Sequence, residues 1–577
     1  MNLRATSNKQ HALFLSTFLL CLLFLLYKVP YGFIQDDEPL LLAIANRFTF
    51  GDAPLTDEWQ TTQMVCFLTY PLVKAYKVLY GGTEGIVLAF RYIYIVYWSL
   101  TALFVYRRFK VFGMWSIPAV IYFYLFAPTD IMSMTYNVIA VGGMLVATSI
   151  AATFKSEVEM LVVGIFFAAA VLGSPYILLI YLVWSLAVAV LCMRQKKKGA
   201  RGGTLPRAMS VKSWLMFTAG ACFVAVLFAF FVLSRTTVAS LIENLPHVYL
   251  ENHPPRAIKT LIAQFFQYIW ERYRLLLLVG VPLSVITMLD ERKLQRRKVY
   301  FTLSVIIFVI SCIPLLDLRV ELYNFNTIML PVAWLGVEAY LLTKNRNHQL
   351  FICGWCIGVL FSFCAHIASN TRWIAISMGS VVAGTASFVL IGAMLSELRT
   401  ECEFSEKHKN TLFALAISIV VIAFQLGAEV YIRYQRNNYD LTTNMLDTTI
   451  YYGPYRGIIT NDKTEKEHRY YYDEVMSFAK IQSPEDRLMV VTSMPWSYLA
   501  ADMPCGTYSP WGNWDDPLGT LKQSFVYYKL HPDKRADCIL IFKYDPDVCL
   551  PPEALTLVEQ NGYTVGETDI SYRIVDE

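Results

Sequence analysis

Residues 35–48 read QDDEPLLLAIANRF and follow closely on residues 11–29, HALFLSTFLLCLLFLLYKV. An apolar run of about twenty residues is long enough to cross a hydrocarbon core of about 30 Å as a helix. This run is too long for the apolar region of a signal peptide, and no small-residue cleavage pattern follows it, so it is expected to stay as a first membrane helix. Three consecutive carboxylates, Asp36, Asp37 and Glu38, then stand at the mouth of whatever that helix enters. Pro39 suits the first turn of a second helix, and carboxylates favour the positively polarised N-terminus of one. Residues 40–48 are expected to form an amphipathic helix lying along the membrane.

Outward from this stretch the apolar pattern repeats. The chain of 577 residues is 56% hydrophobic and only 16% charged, against about 25% charged in an average soluble domain. The expected fold is therefore an α-helical polytopic membrane protein. About thirteen transmembrane helices are expected, over 11–29, 84–105, 111–127, 135–153, 157–173, 176–193, 213–233, 273–289, 299–315, 325–342, 349–367, 373–395 and 411–428. Residues 1–430 form the membrane domain, with a juxtamembrane loop over 30–82, and residues 431–577 a small α/β domain.

The basic residues set an orientation. Arg107, Arg108 and Lys110, then Arg194 with Lys196, Lys197 and Lys198, then Arg292 with Lys293, then Lys344 and Arg346, then Arg399 and Lys407 lie in connections separated by even numbers of spans. All can share the cytoplasmic side. That places the N-terminus inside and leaves loop 30–82, residues 234–272 and the C-terminal domain extracytoplasmic, in a cell membrane. Strands are expected over 487–492, 538–542 and 571–575, with helices over 463–480, 516–528 and 552–560.

A carboxylate beside an apolar, partly dry surface can take a proton from a hydroxyl, which makes Asp36, Asp37 and Glu38 candidate catalytic groups; capping a surface helix is the plainer reading. Asp57 and Glu58 stand next to Trp59 in the same loop, a pairing that suits either a stacked sugar ring or an interfacial anchor. Arg91 falls within the second span, where an arginine is expensive: it snorkels, meets the first-loop carboxylates or holds a phosphate. Arg319 lies between the ninth and tenth spans, placed either to meet a phosphate or to pair with Glu321 on the surface. Trp496, Tyr498 and Trp511 suit glycan contact or plain core packing, and the turn GPYRGIIT over 453–460 enters a strand without evident chemistry.

An acidic pair directly after a first span, with a juxtamembrane helix reading DEPLLLAIANRF over 37–48, resembles the first outer loop of GT-C superfamily glycosyltransferases, the group of the protein O-mannosyltransferases and the lipid A aminoarabinose transferase. GTEGIVLAFRYIYIVYWSL over 82–100 is similar to that group's second helix, and LYNFNTIMLPVAWLG over 322–336 to its later helix entry, with longer spacing. Where relatives often carry an aspartate before the fourth span, this chain reads Met134-Thr135-Tyr136-Asn137. The resemblance implies Asp37 as the catalytic aspartate with Glu38 beside it, and a polyprenyl-phosphate sugar as donor. It implies no metal and no cofactor. The acceptor would be a glycan, lipid or protein on the outer face; membrane lipids are the other partners, and no nucleic acid is expected. A lipid-linked sugar flippase and a non-catalytic glycan-binding scaffold are the competing readings.

Overall fold

The computed structural model describes residues 8–198, 207–250, 257–316, 327–369, 371–401, 409–435, 442–491, 493–512, 516–543 and 551–576. Each of the thirteen apolar segments carries a helix, and nine helices among the described residues are long and apolar enough to cross a membrane. The others are shorter: Ser116–Leu125, Tyr136–Ala152, Glu157–Gly173 and Met329–Leu342. At about 1.5 Å per residue, the 10 residues of Ser116–Leu125 cover about half of a hydrocarbon core. In the other direction, helices Val238–Leu250 and Ile258–Leu275 run through much of what reads as the loop over 234–272, the second of them kinked at Tyr273.

Small residues set the packing of the bundle. Trp373–Glu401 runs through its centre, with Met329–Leu342 and Ile357–Ala368 along its sides. A Cβ added at Gly336 would stand 2.3 Å from Ser387 Oγ, and one at Gly220 would stand 2.0 Å from the Leu161 carbonyl oxygen. Without a hydrophobic drive between helices in lipid, such close backbone approach is what holds them.

After α1 (Asn8–Lys28) a short turn leads into α2 (Asp37–Arg47), followed by α3 (Cys66–Tyr80) and α4 (Ile86–Phe109). The expectation of an amphipathic α2 lying along the membrane is corrected: every residue from Glu38 to Arg47 is buried. One side of α2 meets α3 and α4, and the other meets Trp496–Ala501 of the C-terminal region. A helix covered on both sides shows no useful apolar stripe.

In the C-terminal region β1 (Thr448–Thr449) and β2 (Ile459–Thr460) pair antiparallel, and a four-stranded sheet follows, ordered β3 (Leu488–Val491), β4 (Cys538–Phe542), β6 (Ser571–Asp576), β5 (Tyr563–Glu567). β3 and β4 run parallel and the other pairs antiparallel. Helices Asp462–Ala479, Pro517–Leu530 and Pro552–Gln560 accompany the sheet. Three of these strands and all three helices lie where the sequence places them; β5, with Gly566 and Glu567 in it, is the one that sequence reading misses.

A buried polar network holds this region to the loop between α1 and α3. Arg47 Nε donates to Asp52 at 2.6 Å, Nη1 to Glu58 at 3.1 Å and Nη2 to the Tyr527 hydroxyl at 3.1 Å. Lys534 Nζ stands 2.8 Å from Asp52 and 3.2 Å from Asp57. Burial would raise the Asp52 carboxyl, yet Arg47 and Lys534 hold it below the usual carboxylate range. Removing one side of a buried ion pair costs about 3–5 kcal/mol, because it strands the other charge. Arg47→Met is therefore expected to loosen the C-terminal region from the loop, seen as a lower melting temperature and faster tryptic release of a fragment containing residues 442–576.

Candidate active site at the first outer loop

The turn between α1 and α2 is built on one arginine. Arg91, on the second turn of α4, donates from Nε to Glu38 Oε1 at 2.7 Å and from Nη2 to Glu38 Oε2 at 2.6 Å. Its Nη1 donates to the carbonyls of Val29 and Tyr31 at 3.0 and 3.1 Å, and Nη2 to the carbonyl of Gly32 at 2.8 Å. A guanidinium has five N–H donors, and here each has an acceptor. Of the roles open to Arg91, the contact with a first-loop carboxylate is the one the geometry supports, and no N–H remains for a phosphate.

Fixing Glu38 inward decides what its neighbours do. Asp36 is the N-cap of α2, its Oδ1 accepting from the Asp37 backbone N–H at 2.8 Å. Asp37 sits between cap and pin, half-buried, with no lysine or arginine among the described residues paired to its carboxylate. Burial, and secondarily the charge of Asp36, push its carboxyl from an ordinary 3.8 up to about 6. Tyr136, which opens the helix Tyr136–Ala152, is within electrostatic reach of Asp37. Thr135 caps that helix by accepting from Val138 N–H.

The second acidic group of the loop lies elsewhere. Trp59 is wholly buried, its indole N–H shared between the Thr56 carbonyl and Asn244 Oδ1 at 3.1 and 3.0 Å. Glu58 is held by Arg47, against whose pull burial raises its carboxyl to about 7, and Asp57 accepts from the Ala53 N–H at 2.7 Å. Asp57, Glu58 and Trp59 thus belong to the network under the C-terminal region, and neither the stacked-ring nor the interfacial reading describes them. Arg319 and Glu321 lie outside the described residues.

Sequence reading gave no role to GPYRGIIT. Its Ile459 exchanges backbone hydrogen bonds with Pro30 and Gly32 at 2.7 and 2.9 Å, and the Tyr455 hydroxyl donates to the Ile34 carbonyl. Gly453 and Gly457 adopt φ of +63° and +90°, which the turn requires and other residues resist. The C-terminal region thereby clasps the turn that Arg91 pins from below. Between them a cavity of about 290 Å³ opens, with Asp36 and Gln35 on the loop side and His468, Tyr471 and Trp496 opposite. Among the described residues no group of three or more His, Cys, Asp or Glu side chains gathers to hold a metal.

The raised affinity of Asp37 for a proton has a sign in stability. Between about 3.8 and about 6 the folded chain binds that proton more tightly than the unfolded chain, so stability rises as pH falls through this window. Above it the ionised carboxylate weighs on the fold by about 3 kcal/mol or less. Asp37→Asn is expected to melt above wild type at pH 8, with the difference vanishing near pH 4.

By sequence, no family model matches the chain and no curated protein matches it. Among solved structures it is similar to ArnT from Cupriavidus metallidurans bound to undecaprenyl phosphate, at 11% identity and a TM-score of 0.49, covering 98% of each chain. It is also similar to an Archaeoglobus fulgidus oligosaccharyltransferase in complex with zinc and sulfate, at 12% identity and a TM-score of 0.46 over 97% of this chain and 73% of that one. The archaeal oligosaccharyltransferase AglB from Archaeoglobus fulgidus, in complex with an inhibitory peptide and a dolichol-phosphate, gives 11% identity and a TM-score of 0.38 over 93% and 70%. At such scores no residue is matched across the chains, and the site rests on its own geometry.

Proposed function

We propose that this chain is a membrane glycosyltransferase that moves a sugar from a polyprenyl-phosphate donor to an acceptor hydroxyl on the outer face. One observation carries the reading: of three consecutive carboxylates, Glu38 is locked to Arg91 and Asp36 caps a helix, while Asp37 is left half-dry, with no lysine or arginine paired to it among the described residues and its carboxyl raised to about 6. A base poised just below neutral pH is ionised yet takes a proton readily. Asp37 removes the proton of the acceptor hydroxyl as its oxygen attacks the anomeric carbon. The bond from that carbon to the phosphate oxygen breaks, and the polyprenyl phosphate leaves with the electron pair. Attack opposite the leaving group inverts the anomeric centre. Arg319, rather than the fully engaged Arg91, is assigned to the charge that develops on the phosphate. The even spacing of basic loops supports a cytoplasmic N-terminus and an extracytoplasmic C-terminal domain.

One observation favours the flippase. Glu338 lies inside the apolar helix Met329–Leu342, fully buried, with Ser304 Oγ 3.5 Å away, and a carboxylate at that depth is a usual mark of a transport path. The two readings separate on purified protein supplied with a labelled polyprenyl-phosphate sugar. The transferase reading expects Asp37→Asn to lower transfer about a hundredfold or more with donor binding little changed, and Glu338→Gln to keep transfer. Transfer by Asp37→Asn at the wild-type rate, or movement of the lipid across the bilayer without transfer, removes it.

A further inference from the structure

Two residues lining the cavity above α2 carry polar atoms that no described protein group answers. Both ring nitrogens of His468 and the indole nitrogen of Trp496 are buried without a hydrogen-bond partner among the described residues, and the two residues are 3% and 1% exposed. The His468 ring stands edge-on to Trp496 at 4.5 Å and tilted against Phe33 at 4.9 Å, with Tyr452 and Tyr455 closing the box. A phenylalanine would pack there without stranding two nitrogens, and buried polar groups are nearly always satisfied. Burial lowers the imidazole to about 3, so it is neutral at physiological pH and offers one N–H donor and one acceptor together.

That combination matches a sugar ring. A hydroxyl both donates and accepts, as does a neutral imidazole; the indole supplies a donor, Asp36 and Gln35 supply acceptors, and the aromatic walls suit the apolar faces of a pyranose. At about 290 Å³ the space lies at the lower end of small-molecule sites, enough for a single ring. Asp36, the chain neighbour of Asp37, lines it, and residues of the C-terminal region form its opposite wall.

We infer that this cleft is the acceptor subsite and takes a sugar ring, with His468 and Trp496 as its binding residues. The inference rests on the transferase reading of Asp37, and its test keeps the two apart. The full chain, reconstituted in nanodiscs, is titrated with methyl glycosides of glucose, galactose, mannose and N-acetylglucosamine at millimolar concentration, followed by saturation-transfer NMR, and separately with undecaprenyl phosphate. At least one glycoside is expected to bind wild type. His468→Phe, which keeps the ring and removes the nitrogens, is expected to weaken it at least tenfold, and Gln35→Trp, from an exposed position at the mouth, to abolish it. Both variants should bind undecaprenyl phosphate as wild type does. Equal glycoside binding by His468→Phe and Gln35→Trp, or no glycoside binding by a wild type that binds undecaprenyl phosphate, overturns the subsite. Glycoside binding that depends on His468 in a chain that ignores undecaprenyl phosphate supports the subsite and overturns the transferase.

Discussion

The guanidinium of Arg91 determines the shape of the turn that leads from α1 into α2. Its two contacts with Glu38 and three with the carbonyls of Val29, Tyr31 and Gly32 fix the turn after α1, and hence where α2 begins. Desolvating such a pair is expensive and is offset only when geometry is good and the remaining hydrogens are satisfied, as they are here. Lysine has a compact ammonium with three donors and cannot reproduce the fork. With about 3.6 residues per turn, holding Glu38 inward rotates Asp37 away by about 100°. The Asp37 carboxylate is thus positioned by its neighbour's ion pair, and carries a raised affinity for the proton.

The C-terminal region completes what Arg91 starts. Its turn at Gly453 to Ile459 closes over the pinned segment, Trp496–Ala501 covers the far side of α2, and Arg47 with Lys534 ties the loop beneath it. Lys77 adds a contact at 2.7 Å to Asp502, itself in a left-handed conformation at the end of Trp496–Ala501. Wedged between the bundle and this region, the acidic segment is partly dehydrated without being sealed, which is the environment a base near neutral pH needs.

Local patterns in the chain reported local structure well. Long apolar runs marked the helices, the short apolar stretches LMVV and CILIF marked β3 and β4, and the acidic triplet marked the turn that Arg91 pins. What local pattern hides is which partner covers a face. Asn46 and Arg47 read as the polar side of a membrane-surface helix, yet Asn46 meets Asp502 across 456 positions of sequence and Arg47 meets Tyr527 across 480. The same long-range burial turned Trp59 from a candidate ring platform into a core residue bonded to Asn244. The signal that could have marked His468 is its place in a helix otherwise rich in charge and tyrosine, DKTEKEHRYYYDEVMSFA, but only the fold brings Phe33 and Trp496 against it.

In the proposed transfer Asp37 takes the proton, and Asp36 helps set its affinity for it. The pH dependence of kcat/KM for sugar transfer tests this most directly, in wild type and in Asp36→Asn, where the amide keeps the cap and removes the charge. The account predicts an acid limb near pH 6 in wild type that moves to lower pH in Asp36→Asn, because one of the two causes raising the Asp37 carboxyl is gone. A flat profile through that range, or a limb at the same pH in both proteins, would contradict it.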